Sequence, residues 1–262
     1  MHAGGSAVSR TVLAIAAHPD DIELMMAGTL ALLGRAGYAL HGLVVANGSC
    51  GTAALDRESI VAIRVQEARQ AAAVLGATPH GPLVDDIQIY YTPSLVARVA
   101  AVVRRVQPEI LLAPSPHDYM EDHVNTSRLA VTAAFCRGMR NFVTDPPAPP
   151  VTGEIALYHA LPWGLKDPLG NAVRPHLVVD IAGVFETKRQ ALACHRSQKE
   201  WLDASQGLDS YLRAMAEMAE AVGRLSGRFR VAEGWQRHNP PGFSGEAFRP
   251  LEDALGPCAY VL

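Results

Sequence analysis

Lysine is almost missing from this chain. Lys166, Lys188 and Lys199 are the only three, so nearly all of the 23 basic charges are arginine, against 26 acidic residues and a formal net charge of −3. A chain so balanced does not hold nucleic acid or an anionic membrane by charge alone. With the many alanines, the arginine excess reads as nucleotide-composition bias and not as a binding surface. Cysteine is scarce and scattered: Cys50, Cys136, Cys194 and Cys258 form no CxxC pair. That argues against a zinc ribbon or a small disulfide framework and for reduced thiols in a cytoplasmic protein. No apolar run approaches the ~18–20 residues that span a bilayer. Val12–Ala17 is too short for the core of a signal peptide. No GxGxxG or GxxxxGK[ST] follows the first apolar run, which removes the phosphate cradle of dinucleotide and P-loop sites, and there is no GxSxG nucleophile elbow.

The 262 residues are 49% apolar and 19% charged. This composition excludes disorder, collagen and coiled coil and suits one domain over 1–262, with a core at about 10–200 and a helical C-terminal appendage at about 201–262. Short apolar runs alternate with helical stretches. Strands are expected at Val12–Ala17, Leu40–Ala46, Ile87–Tyr91, Ile110–Ala113, Ile155–Ala160 and Leu177–Ile181. Helices are expected at Asp21–Ala36, Ser59–Leu75, Pro93–Val106, His123–Arg137, Val184–Ser197 and Leu208–Leu225. Alternation without hairpin signals predicts an α/β fold, Rossmann-like, with a mostly parallel, doubly wound sheet and a helical, irregular C-terminal region.

Two clusters carry the chemistry. His18-Pro19-Asp20-Asp21 closes the first expected strand and opens a helix. One Asp at a helix start caps free N–H groups, but two adjacent carboxylates beside an imidazole exceed what capping needs. Adjacent residues point differently, so one carboxylate can face a metal while its neighbour faces a water. One His and one Asp still lack a third ligand for a catalytic zinc centre. The second cluster, His117-Asp118-Tyr119-Met120-Glu121-Asp122-His123, follows Ile110–Ala113. It therefore belongs at the carboxyl end of another strand, where open α/β sheets bind ligands.

The sequence resembles the LmbE-like, or PIG-L-like, zinc-dependent N-acetylglucosaminyl deacetylases. The likeness rests on Ala17-His18-Pro19-Asp20-Asp21-Ile22-Glu23, the Asn47-Gly48…Gly51-Thr52 loop, Arg64-Val65-Gln66-Glu67-Ala68 with Leu75-Gly76, Asp122-His123, and Lys188…His195-Arg196-Ser197-Gln198. It implies that His18, Asp21 and His123 bind Zn2+, with Fe2+ or another divalent metal as alternatives. It implies that Asp20 is the general base on the metal-bound water that attacks the amide. The implied substrate is a small amino-sugar derivative or glycoconjugate carrying an N-acyl, foremost N-acetyl, group; nucleic-acid partners and a membrane span are not expected, and a homo-oligomer is left open. A metal-dependent phosphoesterase and a non-catalytic metal- or sugar-binding member are the competing readings.

One position departs from the family. A His that helps stabilise the oxyanion in many members is Met120 here, and a thioether donates no strong hydrogen bond. His117, Tyr119 and His195 are the candidate replacements. Arg64 is either half of a helical ion pair with Glu67 or a substrate contact, and Asn47 is a candidate for bonding substrate hydroxyls.

Overall fold

The computed structural model describes residues 10–199, 201 and 210–262. Among these, eight strands form one sheet: β1 (Thr11–Ala16), β2 (Ala39–Val44), β3 (Thr78–His80), β4 (Ile110–Ala113), β5 (Ala156–Ala160), β6 (Leu177–Asp180), β7 (Ala232–Arg237) and β8 (Ala259–Val261). Their spatial order is β3-β2-β1-β4-β5-β7-β6-β8. The helices whose bounds lie within the described residues are α1 (Asp21–Met25), α2 (Ala27–Arg35), α3 (Arg57–Leu75), α4 (Pro93–Val106), α5 (Glu121–Phe135), α6 (Phe185–Leu192), α7 (Ser210–Ser226) and α8 (Pro250–Leu255).

β1 explains the layering. All but its first residue are buried, and they alternate between two cores. Leu13 and Ile15 pack with α4 and α5 residues such as Val99, Val103, Leu129 and Ala133. Val12, Ala14 and Ala16 pack with Ile22, Met26, Leu30 and Leu33 on the other side. A strand covered on both faces reads as a continuous apolar run. α4 begins at Pro93 behind the Thr92 cap, whose side chain accepts the Leu95 N–H. α3 stops at Gly76, whose φ of 69° suits glycine.

Four of the seven strand pairings are parallel. β3, β2, β1, β4 and β5 pair in parallel, whereas β5–β7, β7–β6 and β6–β8 are antiparallel. The mostly parallel expectation is therefore corrected to a mixed sheet. Nor does the region after residue 200 stand apart as an appendage, because β7 inserts between β5 and β6 and β8 forms the edge. Trp235 of β7 is fully buried, and its indole N–H donates to Thr29 at 3.0 Å.

Three local expectations also change. Ile87–Tyr91 is not a strand; the short β3 occupies the edge of the sheet instead. The helix expected over Asp21–Ala36 breaks at Met26 into α1 and α2. The helix expected over Val184–Ser197 leaves regular α-geometry after Leu192. The start expected for the last helix, Leu208, lies outside the described residues.

Candidate metal centre and its acid-lined cavity

β1 and β4 are neighbours, and the chain order runs away from them in opposite directions. Loops leaving a parallel sheet at such a switch point diverge and open a crevice. The two sequence clusters are those loops. His18 and Asp21 follow β1, and His123 sits in the first turn of α5 after β4.

His18, Asp21 and His123 each present one ligand atom, and the three atoms lie within 4.8 Å of one another. Asp21 Oδ2 is 3.3 Å from His123 Nε2 and 3.6 Å from His18 Nδ1. The far side of each imidazole is already fixed. His18 Nε2 lies 3.0 Å from Asp122 Oδ2, and His123 Nδ1 lies 3.1 Å from Asp118 Oδ2. These carboxylates only accept, so each imidazole carries its N–H on that side and donates it to the carboxylate. His18 Nδ1 and His123 Nε2 then face each other at 3.4 Å as lone pairs. Two lone pairs and a carboxylate oxygen converging on one point repel unless a cation lies between them. Imidazoles held from behind by carboxylates are the usual outer layer of a metal site. The donor set therefore fits a divalent metal.

Protonation shows the same need for positive charge. Burial opposes the charged form of His18, but bonds to Asp122 and Asp21 outweigh it and raise its pKa to about 9. Burial likewise opposes charge on His123, and the charge of Asp21 together with the bond to Asp118 carries it well above the ordinary value. Burial would raise Asp21, yet the charge and hydrogen bond of His123, with help from His18, hold it well below the carboxylate range. Asp122 accepts from the Ile87 N–H at 2.7 Å as well as from His18. Ile87 has φ 62°, a strained backbone for a β-branched residue, and that backbone delivers the N–H to Asp122.

Asp20 looks elsewhere. At φ 112° it lies in positive-φ territory that non-glycine residues rarely occupy, and its carboxylate meets Arg64 Nη2 at 3.3 Å. Arg64 also donates to the Pro19 carbonyl at 2.6 Å. Burial is the larger influence on Asp20 and raises its pKa against the pull of Arg64. Arg64 packs closely against Gly48 and Gly51. A Cβ at Gly48 would come within 2.6 Å of Arg64 Cδ, and one at Gly51 within 2.1 Å of Nη1. The two glycines leave room for the guanidinium.

Arg64 thus holds Asp20, and it makes no ion pair with Glu67, which accepts instead from the Ser197 N–H and hydroxyl at 2.9 and 2.6 Å. Asn47 is already bonded: Nδ2 donates to Asp85 on a separate segment, and Oδ1 accepts from the Ser49 N–H. Of the candidate replacements for the missing histidine, only Tyr119 lines the cavity. Its ring stands edge-on to His123. His117 is exposed on the loop. His195 is fully buried, paired with Glu23 Oε2 at 3.2 Å, and does not reach the cavity wall.

The cavity itself measures about 430 Å3. Among the described residues, those lining it include Asp20, Asp21, Asp86 and Asp118, with Arg64 the one Lys or Arg. Sequence reasoning passed over Asp118, Asp122 and Tyr211. Asp118 and Asp122 stand five and one residues before His123 in a motif already singled out, but which imidazole each supports depends on the fold. Tyr211 starts a distant helix with no motif around it.

Residues 13–134 match the family model described as PIG-L, GlcNAc-PI de-N-acetylase. The diacetylchitobiose deacetylase of Thermococcus kodakarensis is 28% identical over 237 residues, covering 86% of this chain and 82% of the relative. The 4-oxalmesaconate hydratase of Pseudomonas putida is also 28% identical, over 198 residues, covering 72% of this chain and 74% of the relative. The structure of N,N′-diacetylchitobiose deacetylase from Pyrococcus horikoshii superposes with a TM-score of 0.74 at 24% identity, covering 90% of this chain and 85% of that one. That last likeness concerns the fold.

Proposed function

Because the chain belongs to the PIG-L (LmbE-like) family, we propose that it is a metal-dependent amidase that removes an N-acyl group, foremost acetyl, from an amino-sugar conjugate. His18, Asp21 and His123 would hold the ion. Two imidazoles and one carboxylate suit Zn2+, and Fe2+ shares that ligand set. A divalent ion there supplies Lewis acidity, polarising the acyl carbonyl and acidifying water. Asp20 is not needed as a ligand and faces the same cavity. Its buried carboxylate takes the proton of the attacking water and returns it to the amine as the C–N bond breaks. Arg64 fixes the direction of that carboxylate through its bonds to Asp20 and Pro19. In place of the family histidine at Met120, the Tyr119 hydroxyl donates to the acyl oxygen.

The observation that carries this reading is the charge of the cavity wall. Among the described residues four carboxylates line it, and the one guanidinium bonds Asp20 and Pro19 through Nη2. Such a wall favours a neutral amide and the cationic amine it becomes. It disfavours the multiply anionic substrate of a hydratase such as the Pseudomonas relative, and equally a phosphoester. A phosphoesterase commonly uses two metals, and the described residues offer one cluster. The test is to load the protein with Zn2+ and supply N,N′-diacetylchitobiose and, separately, 4-oxalmesaconate. Acetate and primary amine released in equal amounts are expected. Hydration of 4-oxalmesaconate with no amine from any N-acetyl sugar would overturn the reading.

A further inference from the structure

Asp86 lines the cavity, yet both of its carboxylate oxygens are already taken from behind. Oδ1 accepts from the Gly48 N–H at 2.7 Å and Oδ2 from the Cys50 N–H at 2.9 Å. The Ser49 hydroxyl closes the ring by accepting the Asp86 N–H at 3.1 Å. The segment that carries Asp86 is anchored without its help. The Leu83 and Val84 N–H groups donate to the Val45 carbonyl at 2.8 and 3.1 Å, and the Ile87 N–H donates to Asp122 at 2.7 Å. Asp86 therefore joins a fixed segment to the loop that follows β2. That loop is the one packed on Arg64. Arg64 is buried, and a Cβ added at Gly48 or Gly51 would collide with its side chain. Arg64 Nη2 bonds the Pro19 carbonyl and Asp20, whereas Nε has no partner among the described residues. Packing by the loop, and not a hydrogen bond, holds that flank of the guanidinium.

We infer that Asp86 is a positioning residue for Asp20: it fixes the loop at 48–50, the loop fixes Arg64, and Arg64 aims the carboxylate that moves the proton. The inference rests on the amidase reading for the part Asp20 plays, and adds the residue that sets its direction from the far side of the loop. A carboxylate on a cavity wall invites the reading of a substrate contact, and the two roles separate in kinetics. A substrate contact changes KM, whereas a misdirected base changes kcat. The metal side is spared, because residues 83–87 keep their anchors at Val45 and Asp122 when the Asp86 carboxylate is lost.

Asp86→Asn keeps the size of the side chain but sets an N–H donor against one of the loop N–H groups. In zinc-loaded protein its kcat on N,N′-diacetylchitobiose should fall by ~10–10²-fold, the scale of a small misplacement, with KM and metal content unchanged. Gly48→Ala disturbs the same packing without touching Asp86 and should give the same pattern; it takes the place of Asp86→Asn should that variant fail to fold. In the Arg64→Lys background Asp86→Asn should cost little more, because effects passed through a shared residue do not add. A raised KM with kcat intact would make Asp86 a substrate contact. Unchanged kinetics, additive losses or lost metal would equally overturn the inference. A second readout needs neither metal nor turnover. Hydrogen exchange at Arg64 Nε–H, which is not bonded to Asp86, should quicken by about tenfold or more in metal-free Asp86→Asn, together with the Gly48 and Cys50 amides. Faster exchange at the two amides alone would show that the loop moves without Arg64, and the inference would fall. If the wild type cleaves no N-acetyl sugar, the amidase reading fails, while exchange at Arg64 still decides whether Asp86 holds it.

Discussion

Asp20 and Asp21 are chain neighbours, yet they serve opposite sides of one cavity. On the Asp21 side everything supplies electron pairs to a point: two imidazoles, a carboxylate oxygen, and Asp118 and Asp122 behind them. On the Asp20 side a guanidinium takes the carboxylate, and several polar atoms have no partner. The protonation tendencies diverge accordingly. His123 and His18 hold Asp21 low against burial, whereas burial dominates at Asp20 and raises it against Arg64. One backbone feature makes the division, the positive φ of Asp20, which lets consecutive side chains leave the turn in different directions. A strained residue at a functional site is well precedented, and here the strain divides two roles between two identical side chains.

The comparison breaks most visibly if a metal ligand is removed. His123→Ala should lose its metal and with it all measurable turnover, read by metal content after dialysis alongside acetate release. Retained metal would mean that His123 Nε2 is not a ligand. Next comes the strut on the other side. Arg64→Lys keeps a cation but loses the planar guanidinium whose Nη2 bonds both Asp20 and the Pro19 carbonyl, so kcat should fall by up to ~10²-fold, the scale of a small misplacement, with metal content unchanged. A variant with full kcat would show that Asp20 holds its pose unaided. Asp122→Asn should weaken metal affinity by about 10–100-fold, the usual effect of removing an outer-layer partner, and saturating metal should restore most of kcat. Unaltered affinity would remove Asp122 from the metal side.

The smallest effect is on the pH dependence of stability. In metal-free protein the folded pKa of His18 is about 9 against an ordinary 6.5, since the bonds to Asp122 and Asp21 outweigh the opposing effect of burial. A raised pKa stabilises the fold fully below the unfolded value, and that contribution is lost as pH rises through the folded one. The melting temperature of metal-free protein should therefore decline between about pH 6.5 and 9. Metal-loaded protein should not show this decline, because the ion replaces the proton. Parallel pH profiles with and without metal would argue against a shared place for proton and ion.

The sheet divides in the same way, and there the division decides what the sequence could disclose. In the parallel part, β1 and β4 are apolar on both faces and end in clusters of acid and imidazole, so the strands, the loops and the residues that converge there were all legible. The antiparallel part hides. β7 reads Ala-Glu-Gly-Trp-Gln-Arg, with no apolar run, because Glu233 is buried to meet Lys188 and the N–H groups of Gly28 and Thr29. β3 is three residues with a proline at its centre, which only an edge strand tolerates. Ile87–Tyr91 has a strand-like composition, but Ile87 and Tyr90 are exposed and the segment's role is to carry one N–H to Asp122. Residue type singled out His18, Asp21 and His123, and the fold brings the three together. Direction, which the sequence does not state, turned Asn47 toward Asp85 and put His117 and His195 off the cavity wall, while Arg64 lines the cavity and also holds Asp20.

The most direct test of the division between the carboxylates is metal content measured side by side in Asp20→Asn and Asp21→Asn, with turnover of N,N′-diacetylchitobiose on the same samples. Asp20→Asn should keep its metal while kcat falls about 10²–10⁴-fold, the usual contribution of a general acid–base group, and Asp21→Asn should lose metal and turnover together. Loss of metal from Asp20→Asn, or retention of metal and turnover by Asp21→Asn, would contradict the account.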